Sequence, residues 1–328
     1  MNKNILVSGG AGFIGSHVCK LLNQKGYTPI VIDNLSTGYK EFVKWGPLIK
    51  ADIQDKQAVK DLIQKYKPIA AMNFASYINV GESVQNPSKY YVNNVANSTI
   101  FFETLIENNV KNVVFSSTAA VYGNPIQDKI DESHPYLPVN PYGQTKLMME
   151  QILKDFSNAY NSKYVIFRYF NATGSDPELE IGESHYPETH LIPLVVDALQ
   201  GRRESITVFG DDYDTADGTC VRDYIHVLDL AEAHVLGVEH LLAGKDSCIM
   251  NLGNGNGFSV SEVIDVVKKV SGKEIPVTAG SRRDGDPGTL VASSKLAKDI
   301  LNWSPKITSL EDMVRPVIHW REKWFGSD

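Results

Sequence analysis

Cysteine is scarce in this sequence. Cys19, Cys220 and Cys248 are an odd set at wide spacings with no CxxC, which excludes a disulfide framework and a cysteine-built zinc site and suits reduced thiols in a cytoplasm. No metal is expected. Long apolar runs are missing as well: no stretch approaches the ~18 to 20 residues that span a bilayer, so no membrane partner is expected. The opening MNKNILVSGG goes straight into a strand-like run, without charged leader or cleavage site, so no secretory signal is expected. Positive charge is not in surplus either. The formal net charge of -7 gives no electrostatic basis for a nucleic-acid or anionic-membrane partner. Gly/Ser linkers, internal repeats and low-complexity tracts are absent too, so the units the chain forms should pack closely around a shared cleft.

What the chain does have is 42% hydrophobic and 22% charged residues over 328 positions, enough for one large domain or two modest ones. Short β-branched runs alternate with helical patterns from the start. NILVSG, TPIVID, PLIKAD, IAAMNFAS, NVVFSS and KYVIFRYF are separated by stretches such as DKQAVKDLIQKY and KYYVNNVANSTIFFETLIENN. Near-continuous apolar strands with helices between them predict an α/β fold with a doubly wound parallel sheet, covered on both faces. Its ligand crevice should lie at the carboxyl ends of the strands. After Gly174 the rhythm loosens into SDPELEIGESHYPETH and GDDYDTADGTCVRDY. The expected division is residues 1–174 for a nucleotide-binding unit and 175–328 for a smaller, mixed α/β substrate unit.

GGAGFIGS, residues 9 to 16, sits between a strand and the helical run HVCKLLNQKG. Two registers fit, Gly10-x-Gly12-x-x-Gly15 and Gly9-x-x-Gly12-x-x-Gly15. Glycine there lets the backbone approach a pyrophosphate at a helix N-terminus, where free N–H groups and the dipole favour an anion. This is the mark of a Rossmann dinucleotide site. Asp33 ends the second strand about 18 residues beyond Gly15, near the ~20 expected for an acid that accepts the adenosine ribose hydroxyls. A carboxylate there repels a 2′-phosphate, which favours NAD over NADP. Asp52, at the end of the third strand, is equally compatible with an ordinary turn.

PYGQTK, residues 141–146, puts Tyr142 four positions ahead of Lys146, behind a proline suited to a first helical turn. The pair shares a face. An ammonium beside a phenol lowers a pKa that is ordinarily near ~10, and a tyrosinate beside a bound nicotinamide can take the proton of a secondary alcohol while hydride leaves the carbon. A hydroxyl from SSTAAVYG, Thr118 or Ser116, would orient the alcohol. An exposed helix pair is the ordinary meaning of YxxxK alone; the dinucleotide loop in the same chain argues against it here.

These pieces, in this order, resemble the short-chain dehydrogenase/reductase superfamily, in its extended branch acting on nucleotide sugars. GGAGFIGSH, VIDNLSTG, VGESVQNP, YYVNNV, SSTAAVYG, PYGQTKLMME, RYFNATG, DGTCVRDYIHV and SRRDGDP together resemble the UDP-glucose 4-epimerases over nearly the whole chain. The resemblance implies that Tyr142, with Lys146 and Thr118, removes the proton of the sugar 4-hydroxyl while NAD takes the hydride. The ketone then turns over and is reduced on its other face, so that UDP-galactose and UDP-glucose interconvert without net redox change.

It also implies NAD contacts at Gly9, Gly12, Phe13, Ile14 and Gly15, at Asp33, Asn34, Leu35, Ser36, Thr37 and Gly38, and at Asp52, Ile53, Phe74, Ala75, Asn93, Tyr142, Lys146 and Phe170. UDP-hexose contacts are implied at Thr118, Tyr142, Asn171, Leu191, Thr207, Val208, Phe209 and Arg222, and from Arg283 through Asp284 and Gly285 to Asp286. Forked guanidinium donors suit a diphosphate. A homodimer through the long helices KYYVNNVANSTIFFETLIEN and PYGQTKLMMEQILKDF is the further implication.

The sequence departs from the pattern at Ile78, where some members carry lysine, at His190, where asparagine is common, and at Leu290, where some carry a bulky aromatic. A smaller residue at Leu290 predicts a roomier hexose pocket and turnover of N-acetylated UDP-hexoses. Dehydratases and decarboxylases of the branch need an acid and a base beside the hydroxyl residue, whereas Ser117, Thr118 and Ala119 supply no carboxylate. A reductase would consume one reduced cofactor per turnover. A non-catalytic dinucleotide sensor would have no need of Tyr142 and Lys146 together. His226, Asp229 and His234 lack the spacing of a helical zinc site, and Asp229 is expected to cap the following helix. DDYDTAD is expected to be a solvated loop, and Pro316 to kink the last helix.

Overall fold

A computed structural model describes residues 3–283 and 286–326. In chain order the first half runs β1 (Asn4–Ser8), α1 (Phe13–Gln24), β2 (Thr28–Asp33), β3 (Leu48–Lys50), α2 (Lys56–Tyr66), β4 (Ala70–Asn73), α3 (Val80–Gln85), α4 (Pro87–Tyr90), α5 (Ser98–Glu107), β5 (Asn112–Thr118), α6 (Pro141–Tyr160) and β6 (Lys163–Tyr169). The second half adds β7 (Asn171–Thr173), α7 (Leu191–Leu199), β8 (Ile206–Phe209), β9 (Val221–His226), α8 (Val227–Leu242), β10 (Cys248–Leu252), β11 (Gly257–Ser259), α9 (Val260–Ser271), β12 (Val277–Gly280), β13 (Thr289–Leu290), α10 (Lys295–Leu301) and α11 (Leu310–Phe325).

The main sheet has the order β10-β6-β5-β4-β1-β2-β3 and is parallel throughout. Alternation along β1 sends Ile5 and Val7 to one face, with Val18, Leu22 and the α8 residues Leu230, Val235 and Val238, while Leu6 faces Leu62, Phe101, Leu105 and Phe115 on the other. Side chains two apart share a face of a strand, so helices on both sides are buried against apolar surface, as the strand runs predict. No helix among the described residues is long and apolar enough to cross a membrane.

β7, β9, β11 and β13 form a smaller sheet, and β8 pairs β12. Around them α7, α9 and α11 close a second core through Val195, Val196, Val263, Val267, Met313 and Val317. The chain crosses between the two regions more than once. β10 lies beyond Gly174 yet forms the edge of the main sheet, and α8 packs on α1, β5 and β6.

Two local features differ from the sequence expectation. The helix predicted from Lys89 to Asn108 is interrupted by a π-helical stretch, Tyr91–Asn97, a geometry that often marks functional sites. α8 starts at Val227, capped by the His226 ring, which accepts from Leu228 N at 3.1 Å. Asp229 is therefore inside the first turn and not the cap; its carboxylate accepts the Lys306 and Ile307 N–H groups at 3.0 Å each. α11 runs from Leu310 to Phe325 through Pro316.

Candidate active site

The glycine loop is built by close backbone approach. Gly9 has φ +73°, and a Cβ there would lie 2.6 Å from Ala75 N, so the end of β4 with Phe74 and Ala75 rests on the loop. A Cβ on Gly15 would lie 2.2 Å from Gly9 O. Gly12 precedes α1 without a side-chain cap, and the first turn holds no acid, which leaves the leading N–H groups of Phe13 and Ile14 to an anion. Asp33 accepts Ala11 N at 3.0 Å and Leu35 N at 2.8 Å. Burial raises its pKa while these two bonds oppose the shift. Gly38 packs against Ala11, where a Cβ would approach to 2.9 Å, so residues 33–38, with the Asn34, Ser36 and Thr37 side chains, fold back over the loop. Asp52 accepts Asn34 Nδ2 at 2.9 Å and Gln54 N at 3.1 Å; Ile53 is buried beside it. The cradle fits a dinucleotide: glycines where a Cβ has no room, an uncapped helix start, and a strand-end carboxylate held by backbone.

Across the sheet, Asn140 caps α6 by accepting Gly143 N at 2.8 Å, with Pro141 in the first helical position. A Cβ on Gly143 would meet Ala120 O at 2.5 Å. This contact packs the helix start onto the turn after β5 and brings Tyr142 near Thr118, whose hydroxyl draws the phenol pKa down. Ser116, the other candidate, is engaged by the Tyr169 hydroxyl. Asn94 in the π-helical stretch donates to Thr145 Oγ1 at 3.2 Å and accepts Asn93 Nδ2 at 3.0 Å, which ties Asn93 to α6.

The electrostatics differ from the expectation. Burial pushes the Tyr142 phenol up to about 12, with the Thr118 bond pulling it down, and pushes Lys146 down to about 7, with Glu150 pulling it up. Lys146 Nζ donates to Ser116 O at 2.8 Å and lies 5.9 Å from the Tyr142 ring centre. The ammonium is therefore not the group that lowers the phenol. Desolvation outweighs its field at this separation. Beneath the pair, Arg168 holds Glu150 through Nε at 2.9 Å and Nη2 at 2.5 Å, and Ser117 Oγ donates to the same carboxylate at 2.5 Å.

Some of the remaining predicted contacts meet one another around Arg222, Arg283 and Leu290. Phe170 and Leu290 pack with Ala119, Val121 and Tyr122, next to Thr118. Leu290 stands opposite Arg222 in the β13–β9 register, and Asn171 opposite Tyr224. Arg222 donates to Val221 O and Pro287 O at 2.9 Å each and lies 3.7 Å from Asp286. Arg283 pairs with Asp286 at 2.6 Å and stacks 5.3 Å from the Phe209 ring centre. Thr207 and Val208 lie on the same strand as Phe209, β8. Leu191 is the first residue of α7. Asp284 and Gly285 lie outside the described residues. Ile78 is 41% exposed.

Residues 5–253 match the model of the NAD dependent epimerase/dehydratase family as one stretch. The chain belongs to this family. Within it, the chain is 52% identical over 305 residues, 93% of each protein, to the UDP-glucose 4-epimerase of Rhizobium meliloti (strain 1021). The UDP-glucose 4-epimerase of Brucella ovis, solved in complex with NAD, superposes with a TM-score of 0.95 at 46% identity, covering 97% of this chain and 98% of that one. The UDP-Glc/GlcNAc 4-epimerase of Campylobacter jejuni superposes with a TM-score of 0.86 at 40% identity, covering 98% and 99%.

Several features of this region were not legible from sequence. Gly143 reads as part of a motif, and only the fold shows that it sets the Tyr142–Thr118 contact. Tyr169 looks like a core aromatic until it is seen to engage Ser116. Glu183, His185, Glu188 and His190 cluster within the stretch that reads as irregular; their E-x-H-x-x-E-x-H spacing was the available signal.

Proposed function

We propose that the protein interconverts UDP-galactose and UDP-glucose by transient oxidation at sugar C4. The Tyr142–Thr118 contact at the carboxyl end of β5, beside a dinucleotide cradle, is the observation that carries this reading. Residues 1–174 contribute most of the NAD site, and residues beyond Gly174 the nucleotide-sugar site. NAD, when bound, accepts a hydride from C4 and returns it to the ketone.

The chain's own residues do the rest. The Tyr142 oxygen takes the 4-hydroxyl proton and later gives it back, and the Thr118 hydroxyl orients that exchange. Lys146, fixed by Ser116 O, would hold the nicotinamide ribose. Bringing a phenol from about 12 toward neutrality needs positive charge beyond that of Lys146, which the oxidised nicotinamide would supply when bound. Asp33 accepts the adenosine ribose hydroxyls. Arg222 and Arg283 exchange part of their pairing with Asp286 for the UDP diphosphate, and Phe209 and Asn171 border the nucleotide. With leucine at 290 instead of a bulky aromatic, the pocket beside Phe170 admits N-acetylated hexoses.

The protein acts as a homodimer in the cytoplasm. Val84, Val92 and Met148 expose apolar surface on α3, the π-helical stretch and α6, the first two of which pack on α6, and the three cysteines are free thiols. Incubating the purified protein with UDP-galactose, without added NAD, and separating the products tests the assignment. UDP-glucose should form with no net NADH. Consumption of one reduced cofactor per turnover would assign a reductase instead.

A further inference from the structure

The segment between β7 and α7 folds so that Glu183, His185, Glu188 and His190 point their ligand-capable atoms at one another, all within 4.8 Å. His190 Nδ1 lies 2.8 Å from Glu183 Oε1 and 3.1 Å from Glu188 Oε1; His185 Nδ1 lies 3.3 Å and 3.8 Å from the same two oxygens. Zinc held at about 2.0–2.2 Å by tetrahedral nitrogen and oxygen ligands places those ligands roughly 3.3–3.5 Å apart. The four His–Glu distances, from 2.8 to 3.8 Å, bracket that spacing, so small side-chain shifts bring the four atoms to it.

Two further observations point to an occupant. Glu183 is only 1% exposed, and its Oε2 has no hydrogen-bond partner among the described residues, nor has His185 Nδ1. A buried carboxylate oxygen left this way is costly. The outer contacts also resemble those that orient ligands. Arg321 Nη1 lies 3.5 Å from Glu188 Oε2 and is itself held by Asp197 at 2.8 and 2.6 Å. Trp320 Nε1 anchors the Glu183 carbonyl at 3.0 Å. The His190 side chain is partly exposed and opens a path to solvent. The other carboxylate group, Asp176, Glu178 and Glu180, differs in kind, because the Lys20 ammonium already fills it.

We propose that Glu183, His185, Glu188 and His190 form a structural site for a zinc-class divalent cation, which clamps the segment before α7 against the cofactor loop. Two carboxylates and two neutral imidazoles balance the dication. The site is well placed for a clamp: the Phe13 ring of the glycine loop meets His185 edge-on at 6.4 Å, and His190 directly precedes Leu191. The competing occupant is a pair of protons, with both imidazoles paired as cations.

NAD-loaded protein stripped with EDTA should take up one zinc per chain in competition with a chromophoric chelator. Cobalt(II) should give the intense visible bands of a tetrahedral site, and zinc should raise Tm by several degrees. His185→Asn and Glu188→Gln should each weaken uptake by at least about 100-fold, more than the loss of an outer contact, while His240→Asn should leave it unchanged. If His185→Asn folds poorly, the cobalt spectrum of Glu188→Gln decides. Absence of stoichiometric zinc, a weak octahedral cobalt spectrum, or equal uptake by wild type and both ligand variants overturns the site.

Discussion

Lys146 Nζ donates to the Ser116 carbonyl at 2.8 Å, so the lysine is anchored to the end of β5 and does not reach the phenol of Tyr142 one helical turn away. In the proposed mechanism, proton transfer at Tyr142 therefore depends most directly on Thr118. Tyr142→Phe should lower turnover by about 10²- to 10⁴-fold, the usual range for a positioned acid or base. Affinity for UDP, measured by calorimetry, should stay within a few-fold. A drop in UDP affinity as large as the drop in rate would mean that the phenol serves binding.

Thr118→Val tests the phenol's pKa through the pH profile. In the proposed mechanism the phenol works as a base when deprotonated, and Thr118 lowers its pKa. Removing the hydroxyl raises the pKa, so the rising limb of kcat/KM should move to higher pH and activity at pH 7 should fall. Thr118→Ser should restore the limb. An unshifted limb in the valine variant, with rate lost equally at every pH, would assign Thr118 to substrate packing.

Asp33→Asn should weaken NAD binding by about 10- to 100-fold, the worth of a hydrogen bond to a charged acceptor at roughly 1.5–3 kcal/mol. Discrimination against NADP should shrink with it. Direct binding measured by quenching of protein fluorescence checks both. Unchanged preference between the two cofactors would mean that the carboxylate serves only Ala11 and Leu35.

Arg168 and Glu150 are both fully buried and paired. Arg168→Met leaves a buried carboxylate without its countercharge and should cost about 3–5 kcal/mol of stability, read by urea denaturation. Adding Glu150→Leu should recover part of the loss. A near-zero effect of the single change would show that water or Ser117 already satisfies Glu150.

Leu290→Tyr should restrict the pocket beside Phe170. Turnover of UDP-N-acetylgalactosamine should fall at least about tenfold relative to UDP-galactose, in line with steric discrimination worth about 1–3 kcal/mol. Equal loss on both sugars would place residue 290 outside the hexose pocket.

The fold and the glycine turn were largely legible, because they are written in local pattern. Alternating Ile5, Leu6 and Val7 give the two faces of a strand, and Gly9 to Gly15 give a turn whose glycines have no room for a Cβ. The opposing pKa shifts of Tyr142 and Lys146 were not legible, since desolvation depends on what Phe115, Tyr169 and the strand ends place around them. Asp229 was misassigned as a cap for the same kind of reason. Its partners, the N–H groups of Lys306 and Ile307, lie far along the chain. The Glu183–His190 cluster was hidden because its residues share neither a helix face nor a strand.

The edge position of β10 bears on how the chain is made. β6 gains its outer neighbour only when Cys248 to Leu252 have left the ribosome, and α8, which covers Val18, Leu22 and Phe167, is completed only shortly before. A nascent polypeptide halted at Gly174 would carry the nucleotide loop on a sheet with one open rim and one wet flank, a state prone to self-association. The cofactor half therefore cannot mature ahead of the rest; its completion waits on a late-synthesised stretch of the other half.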